Sequence, residues 1–432
     1  MERIIMKDLL DWKRETKGRK PLVLYGARQV GKTYILQEFA RDYYKNSIYI
    51  NFERMPIVGS FFDGGLSPER IIMLLEEYFN QRIVPEETLL IFDEIQACER
   101  ALTSLKYFCE EAPEYHVVAA GSLLGVAINR EKYSFPVGKV ITKTLYPLRF
   151  DEFLAATGNG ALVRLIQEHF EQMKEMPEAI HQELLMWLRR YFFIGGMPAV
   201  VTKYLNEKNL VNIPEMQSMI LSAYIADMAK YPTNSESTKI QNAFKSLPAQ
   251  LSKENKKFQY KLIRKGATAS LFGNSIAWLE MAGVALKCDR TTRGELPIGV
   301  FRDVSAFKLY MADVGLLSAF VNITPDNIIR DELSDLYKGT LAENYVAQTL
   351  KVRHKELFYW TSESPEAEVD FVLQIDGKVV PIEAKYNTNV HARSMKHFTS
   401  MYQPERAIRL SARNFGTDGN IYAVPLYAAF CI

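Results

Sequence analysis

Gly26-Ala27-Arg28-Gln29-Val30-Gly31-Lys32-Thr33 decides how this chain is read, because it fits the pattern GxxxxGK[ST] directly after the apolar run Pro21 to Tyr25. A strand, a glycine turn and a helix starting at Lys32 bring successive backbone N–H groups around one point, where the helix dipole favours an anion. Lys32 adds a positive charge there, and the Thr33 hydroxyl can reach a Mg²⁺ ion carried with phosphate groups. The eight residues of the loop are therefore expected to cradle phosphates.

Outward from this loop, short apolar runs recur at Ser47 to Asn51, Leu89 to Phe92 and His116 to Ala120, with helical patterns between them. Strands alternating with helices predict an α/β domain with a mainly parallel sheet. The run Leu89-Leu90-Ile91-Phe92-Asp93-Glu94-Ile95-Gln96 ends in paired carboxylates. In a phosphoryl-transfer site Asp93 would hold Mg²⁺ through water, and Glu94 would polarise the water that attacks the γ-phosphoryl group. The next run delivers Gly121-Ser122 to the same sheet edge, where Ser122 is expected to contact the γ-phosphate or that water. A serine at a strand end is also a common helix cap.

At 432 residues the chain has room for about three domains. With 53 Lys and Arg against 51 Asp and Glu, the net charge of +2 calls for neither a nucleic acid nor a membrane, so any such partner must be argued from local patches. Cys98, Cys109, Cys288 and Cys431 are far apart and include no CxxC, which fits a reducing compartment without a disulfide framework or zinc ribbon. No apolar stretch approaches a membrane span and the N-terminus is charged, so a cytoplasmic protein is expected. The histidines show no metal spacing.

The segments GARQVGKT, LLIFDEIQ, AAGSLLG, YPLRFDEFL and IGGMPAVV together resemble a large prokaryotic family of AAA-type P-loop ATPases with a poorly characterised C-terminal domain, and the resemblance covers nearly the whole chain. It implies ATP and Mg²⁺ as cofactors and a homo-oligomer. In related signal-transducing ATPases a Gly-x-Pro element packs on the adenine, and Gly196-Met197-Pro198 matches it; a plain turn between helices is the other reading of Gly196 and Pro198. Family members often carry Gly-Arg before the YPL segment, where this chain has Gly138-Lys139. Lysine lacks the bidentate fork of an arginine finger, which leaves Arg130 as an alternative. Arg28 resembles the family's usual residue, with phosphate or a neighbouring subunit as its expected contact.

From about Pro147 the pattern turns helical, and a polar linker follows at Thr233 to Thr238. Leu262 to Leu286 reads as a short helix, a turn at Gly266-Ala267-Thr268 and a second helix, and with a wing reaching Phe307 it resembles a winged helix. The basic run Lys253, Lys256, Lys257, Lys261, Arg264 and Lys265, joined by Arg290 and Arg293, suits phosphate contacts on DNA. A solvated helical face is the plainer alternative.

Toward the C-terminus, Glu366 to Leu373 is an alternating strand carrying Asp370, and a turn at Gly377 leads to Val379-Val380-Pro381-Ile382-Glu383-Ala384-Lys385. A hairpin brings Asp370 near Glu383 and Lys385, which share one strand face. Two carboxylates and a lysine on adjacent strands form a site for Mg²⁺ or Mn²⁺, with the lysine positioning water. The D…ExK order, within a helix, three strands, a helix and two strands, resembles the PD-(D/E)XK nuclease superfamily, and Glu343 on the preceding helix matches an acidic residue those enzymes often add to the metal site. Such domains also serve as inactive DNA-binding scaffolds.

These readings give a P-loop NTPase core over 1–150, a helical lid over 151–235, a winged-helix-like domain over 236–330 and a restriction-endonuclease-like α/β domain over 331–432. The expected catalytic residues are Lys32, Glu94 and Ser122 for ATP, and Asp370, Glu383 and Lys385 for a phosphodiester. A Mg²⁺-dependent ATPase that binds branched or single-stranded DNA is the main expectation. The rivals are an ATP-controlled signalling switch with an inactive C-terminal interaction module, and a helicase-like motor.

Overall fold

Runs rich in Val, Ile, Leu and Phe become the strands β1 (Leu22–Tyr25), β2 (Asn46–Asn51), β3 (Thr88–Asp93) and β4 (His116–Ala120), joined at one edge by β5 (Ile141–Thr144). Their order is β2-β3-β4-β1-β5 and every pairing is parallel. Parallel strands need helical crossovers, so both faces are covered, and β3 and β4 are buried along their whole length. The sequence reading had no strand at Ile141-Thr142-Lys143-Thr144. This segment alternates half-buried and exposed residues, and its pairing with β1 makes it a strand.

The computed structural model describes residues 2–16, 18–122, 135–229, 233–253, 256–362, 367–387 and 393–432. They divide into two units, Glu2–Tyr146 with Met281–Gly283, and Pro147–Glu280 with Val284–Ile432. In the first unit one face of the sheet packs Ile48, Ile50, Leu90 and Phe92 against Phe62, Leu105 and Phe108. Phe92 lies at the centre, with ring centroids 5.6 Å from Phe52 and 5.8 Å from Phe62 in edge-on contacts. Truncating it to Ala should cost about 3–5 kcal/mol, since it would leave a cavity among rings that cannot all close in.

The second unit begins with helices Phe150–Ala156, Gly160–Gln172, Glu178–Ile194, Pro198–Glu207, Ile213–Ala229 and Asn234–Leu251. Leu148-Arg149-Phe150-Asp151-Glu152, part of the family-like YPLRFDEFL segment, is a structural joint here. Glu152 caps its helix by accepting the Arg149 N–H at 2.9 Å, Arg149 pairs with Asp151 at 2.6 Å out of water, and the Tyr191 hydroxyl donates to the Leu148 carbonyl at 2.5 Å.

Ahead of the helix Ala269–Met281, where a short helix was expected, there is a single 3₁₀ turn, Tyr260–Leu262. Then β6 (Ala285–Thr291) and β7 (Arg302–Met311) form an antiparallel hairpin. This hairpin joins the C-terminal part, because β8 (Leu357–Thr361) pairs parallel with β6 and β9 (Glu368–Val369) pairs with β8, giving the order β7-β6-β8-β9.

A third sheet contains β10 (Phe371–Ile375), β11 (Lys378–Ala384), β12 (Ala407–Ser411), β13 (Gly416–Asp418) and β14 (Ile421–Pro425), in the order β10-β11-β12-β14-β13. The helix Asp335–Lys351 precedes these strands, and the helix Arg393–Tyr402 connects β11 to β12. Asp376 and Gly377 both take positive φ, 51° and 75°, which is the two-residue turn that a twisted hairpin favours. Asp370 sits between β9 and β10, where one extended stretch leaves the second sheet and enters the third. Among the described residues no helix is long and apolar enough to cross a membrane.

Candidate functional site

In the first unit the glycine loop leaves β1 with Gly26 at φ +147°, and a Cβ there would lie 2.3 Å from the Leu145 carbonyl oxygen. Glycine is thus required for close backbone approach. Ala27 and Val30 are buried, whereas Arg28 and the left-handed Gln29 are exposed. Gly31, also at positive φ, precedes the helix Lys32–Tyr43, whose N-terminus opens onto the loop. Lys32 is buried, and its Nζ donates to the Gly26 and Ala27 carbonyls at 2.8 and 2.9 Å. Burial lowers its pKa to about 8, against the opposing pull of Glu94 and Asp93.

Asp93 ends β3 and is 1% exposed. Its Oδ2 accepts from Thr33 Oγ1 and from the Tyr49 hydroxyl, both at 2.7 Å, and its Oδ1 accepts the Glu94 N–H at 3.0 Å. Glu94 takes the left-handed conformation at φ 48°, a strained place for a side chain with a Cβ. Its Oε2 accepts from Gln96 Nε2 at 2.5 Å and from Ser122 Oγ at 3.2 Å. Lys32, Thr33, Asp93, Glu94 and Ser122 therefore meet at the C-terminal edge of the parallel sheet, where open α/β sheets place their ligands.

The residues present fit both nucleotide and metal. A hydroxyl and a carboxylate oxygen 2.7 Å apart are the hard oxygen donors that Mg²⁺ takes, and the glycine cradle leaves N–H groups at a helix start. Sequence reasoning missed Tyr49 and Gln96. Tyr49 stands between Ile48 and Ile50 in β2, and only the pairing of Asn51 with Asp93 brings its hydroxyl to the carboxylate.

Gly196 and Pro198 lie in the second unit. The Gly196 carbonyl accepts the Leu148 N–H at 2.7 Å, and its own N–H donates to Asp313 Oδ2 at 2.6 Å. Pro198 opens the helix Pro198–Glu207. Asp313 is buried, which raises its pKa to about 6, and its carboxylate also caps the helix Val314–Phe320 through the Leu316 N–H. Lys139 pairs with Glu110 at 2.9 Å, and Arg130 lies outside the described residues.

The second cluster surrounds Asp370. Asp370 Oδ2 accepts the Ala384 N–H at 2.9 Å, and Lys385 Nζ lies 3.8 Å from that oxygen and 3.7 Å from Glu383 Oε1. The expected convergence of Asp370, Glu383 and Lys385 is therefore present. Asp370 holds the Lys385 pKa up, and burial raises that of Glu383. Lys308, in the middle of β7, was not singled out from the sequence. Its fully buried Nζ lies 2.9 Å from Glu343 Oε1, 2.6 Å from Glu368 Oε1 and 3.9 Å from Asp370 Oδ1. Glu343 also accepts from the Tyr310 hydroxyl at 2.5 Å and pairs with Lys256. Burial opposes its charge, but Lys256 and Lys308 prevail and hold it well below the usual carboxylate range.

Among the described residues no group of three or more acidic, His or Cys side chains is arranged to hold a metal. With Glu343 already engaged by two ammonium groups and a hydroxyl, this donor set does not fit a divalent cation. An available signal was Lys308 itself, a lysine within the apolar run Ala306 to Met311, where a buried charge must have partners.

Residues 18–154 match the family described as an AAA domain. This match falls on the part of the chain that carries the phosphate-binding loop and the parallel sheet, which is AAA-type in fold. Two further matches, over residues 186–327 and 338–429, are to families each described as a domain of unknown function. Two uncharacterized proteins of Methanocaldococcus jannaschii are each 24% identical to the chain, over 204 and 203 residues that cover 47% and 45% of it. The matches span only 39% and 41% of those two proteins' lengths. Among solved structures, the Walker-type ATPase of Pyrococcus abyssi is 15% identical with a TM-score of 0.46, covering 74% of this chain and 95% of that one. The ORC2 protein of Aeropyrum pernix is 13% identical with a TM-score of 0.38, covering 77% and 95%.

Proposed function

We propose that this protein is a Mg²⁺-dependent ATPase that holds DNA through its second unit and works as a homo-oligomer. The observation that carries the reading is the convergence of Lys32, Thr33, Asp93, Glu94 and Ser122 at one sheet edge of the AAA-type domain.

To receive ATP, Lys32 exchanges the Gly26 and Ala27 carbonyls for β- and γ-phosphate oxygens, while the loop N–H groups fix the chain of phosphates. Thr33 would hold Mg²⁺ and Asp93 would hold it through water, and the ion would supply countercharge to those oxygens. Tyr49 and Thr33 both donate to the same oxygen of Asp93 and so orient it. Gln96 fixes Glu94 through Oε2 and Ser122 Oγ stands 3.2 Å from Oε2 and 3.4 Å from Oε1, which sets the plane of the carboxylate that takes a proton from the attacking water. Arg28, Arg130 and Lys139 are the candidates for a cation supplied between subunits, and Arg28 has the bidentate fork that Lys139 lacks.

For DNA, the exposed Lys253, Lys261, Arg264 and Lys265 beside the helix Ala269–Met281 form the candidate face. Lys256 is turned inward to Glu343, and Arg290 and Arg293 pair with Asp303 and Glu295. The winged-helix-like and nuclease-like assignments over 236–330 and 331–432 supply the frame for this contact. Of the two roles open to the D…ExK cluster, holding and cutting, the paired state of its carboxylates favours holding.

Lys32→Ala should reduce phosphate release from ATP by a factor of about 10²–10³, as removal of a principal electrostatic donor does, and undiminished turnover would end the ATPase reading. DNA affinity should fall steeply with salt, and Lys261→Glu with Lys265→Glu should flatten that slope by roughly one unit per lost phosphate contact. Binding that ignores ionic strength would favour the signalling switch. Mn²⁺-dependent cleavage lost in Asp370→Ala would restore the nuclease role.

A further inference from the structure

The cluster around Asp370 holds four carboxylates, Glu343, Glu368, Asp370 and Glu383, and four cations stand against them, Lys256, Lys308, Lys385 and Arg409. Its formal charge is thus balanced before any ion arrives. Lys308 is central, because among the described residues it alone reaches Glu343, Glu368 and Asp370 together. Burial disfavours its charge, yet those three carboxylates outweigh burial and hold the ammonium protonated well above the ordinary lysine range.

Lys308 is also anchored. Its backbone lies in the β6–β7 ladder opposite Cys288, its side chain has no exposed surface, and its ammonium lies over the Tyr359 ring at 4.9 Å. Withdrawal would require bare carboxylates in the interior, which is far costlier than leaving the pairs in place. A divalent ion between Glu343 and Asp370 would adjoin this ammonium and meet its repulsion with little water to screen it. Most of the Glu343 and Asp370 oxygens are engaged as well, while the buried Glu383 Oε2 has no hydrogen-bond partner among the described residues and stands 3.6 Å from Arg409 Nε. Glu343 Oε1 takes Lys308 and Tyr310, its Oε2 takes Lys256, and Asp370 Oδ2 takes the Ala384 N–H.

We propose that Lys308 is the resident cation of this cluster, standing where a PD-(D/E)XK site would hold its metal, so that the cluster neither takes Mg²⁺ or Mn²⁺ nor cuts a phosphodiester. The ion pairs instead fasten the β6–β7 hairpin, the helix Asp335–Lys351 and the junction at Asp370 to one another. This assignment stands whether or not the protein hydrolyses ATP or binds DNA.

The test is a Mn²⁺ titration, read by electron paramagnetic resonance, of full-length protein without nucleotide. Asp93→Asn silences the site in the AAA-type domain. In that background no one-to-one Mn²⁺ site tighter than about 1 mM is expected, and adding Asp370→Asn should change nothing. A stoichiometric site that vanishes with Asp370→Asn overturns the proposal. Lys308→Met, placed on Asp93→Asn, should create a site by exposing three carboxylates to one another. Its Mn²⁺ affinity should exceed that of Asp93→Asn alone by at least roughly tenfold, and Mn²⁺ should raise its Tm. A folded Lys308→Met protein with unchanged Mn²⁺ affinity also counts against the assignment. Should that variant fail to fold, the first titration still decides.

Discussion

Asp93 with Glu94 and Asp370 with Glu383 are both acidic pairs placed by β-strands, yet their surroundings are opposite. Asp93 and Glu94 are held by neutral donors, namely two hydroxyls and a backbone N–H on one, and a serine and an amide on the other. Lys32, the nearby ammonium, is held by carbonyls. Asp370 and Glu383, by contrast, are met by Lys308, Lys385 and Arg409. Two carboxylates therefore do not define a metal site by themselves. Whether the fold has already supplied the countercharge decides it.

The largest effect that would break this contrast is expected at Lys308. Replacing it with Met leaves the buried Glu343 with Lys256 as its counterion and takes Lys308 away from the half-buried Glu368 and from Asp370, so metal-free stability should fall by about 3–5 kcal/mol in denaturant unfolding. A loss under about 1 kcal/mol would mean the cluster is wetter than its burial implies.

An intermediate effect belongs to Tyr49. Tyr49→Phe removes one donor from Asp93 Oδ2, a hydrogen bond to a charged group worth about 1.5–3 kcal/mol. The Mg²⁺ concentration for half-maximal ATPase activity should rise roughly tenfold, with turnover at saturating Mg²⁺ little changed. An unaltered Mg²⁺ dependence would show that Thr33 suffices to orient Asp93.

The smallest effect is in pH. With Lys32 at about pKa 8 in the nucleotide-free protein, its ammonium is lost as pH rises through 8. Phosphate binding pulls that pKa up, so ATP binding near pH 8.5 should take up part of a proton, and apparent affinity should decline above about pH 8 by at most about tenfold per unit. Calorimetry in buffers of different ionisation enthalpy reads the uptake, and Lys32→Met should abolish it. The sign for folding is the reverse. Because the folded pKa lies below the unfolded one, the buried cation costs stability at low pH, and that cost fades as pH rises from 8 toward the ordinary lysine range.

Much of the AAA-type domain was legible in the sequence. The loop at Gly26 to Thr33 and the strand ending at Asp93 announce themselves because their chemistry depends on consecutive residues and on strand ends. Tyr49 was hidden, since its role comes from the register of β2 on β3. The β5 strand was hidden too, because an edge strand with no fully buried residue has only a faint pattern. In the C-terminal part the convergence of Asp370, Glu383 and Lys385 could be read from one hairpin. The burial of Lys308 could be read from its apolar run, but its partners and the partner of Lys256 could not, for they arrive from distant segments, and the charge compensation appears only when β7 and the helix Asp335–Lys351 are side by side.

The parallel pairing of β6 with β8 delays the closing of this sheet until late in synthesis. A nascent chain that has emerged only through β7 holds a hairpin whose β6 edge is still unpaired and a lysine among apolar neighbours whose acidic partners on the helix and on β9 have yet to be made. That hairpin waits for the ribosome to deliver the C-terminal strands before its interior can close, so premature termination after β7 would release a sticky edge.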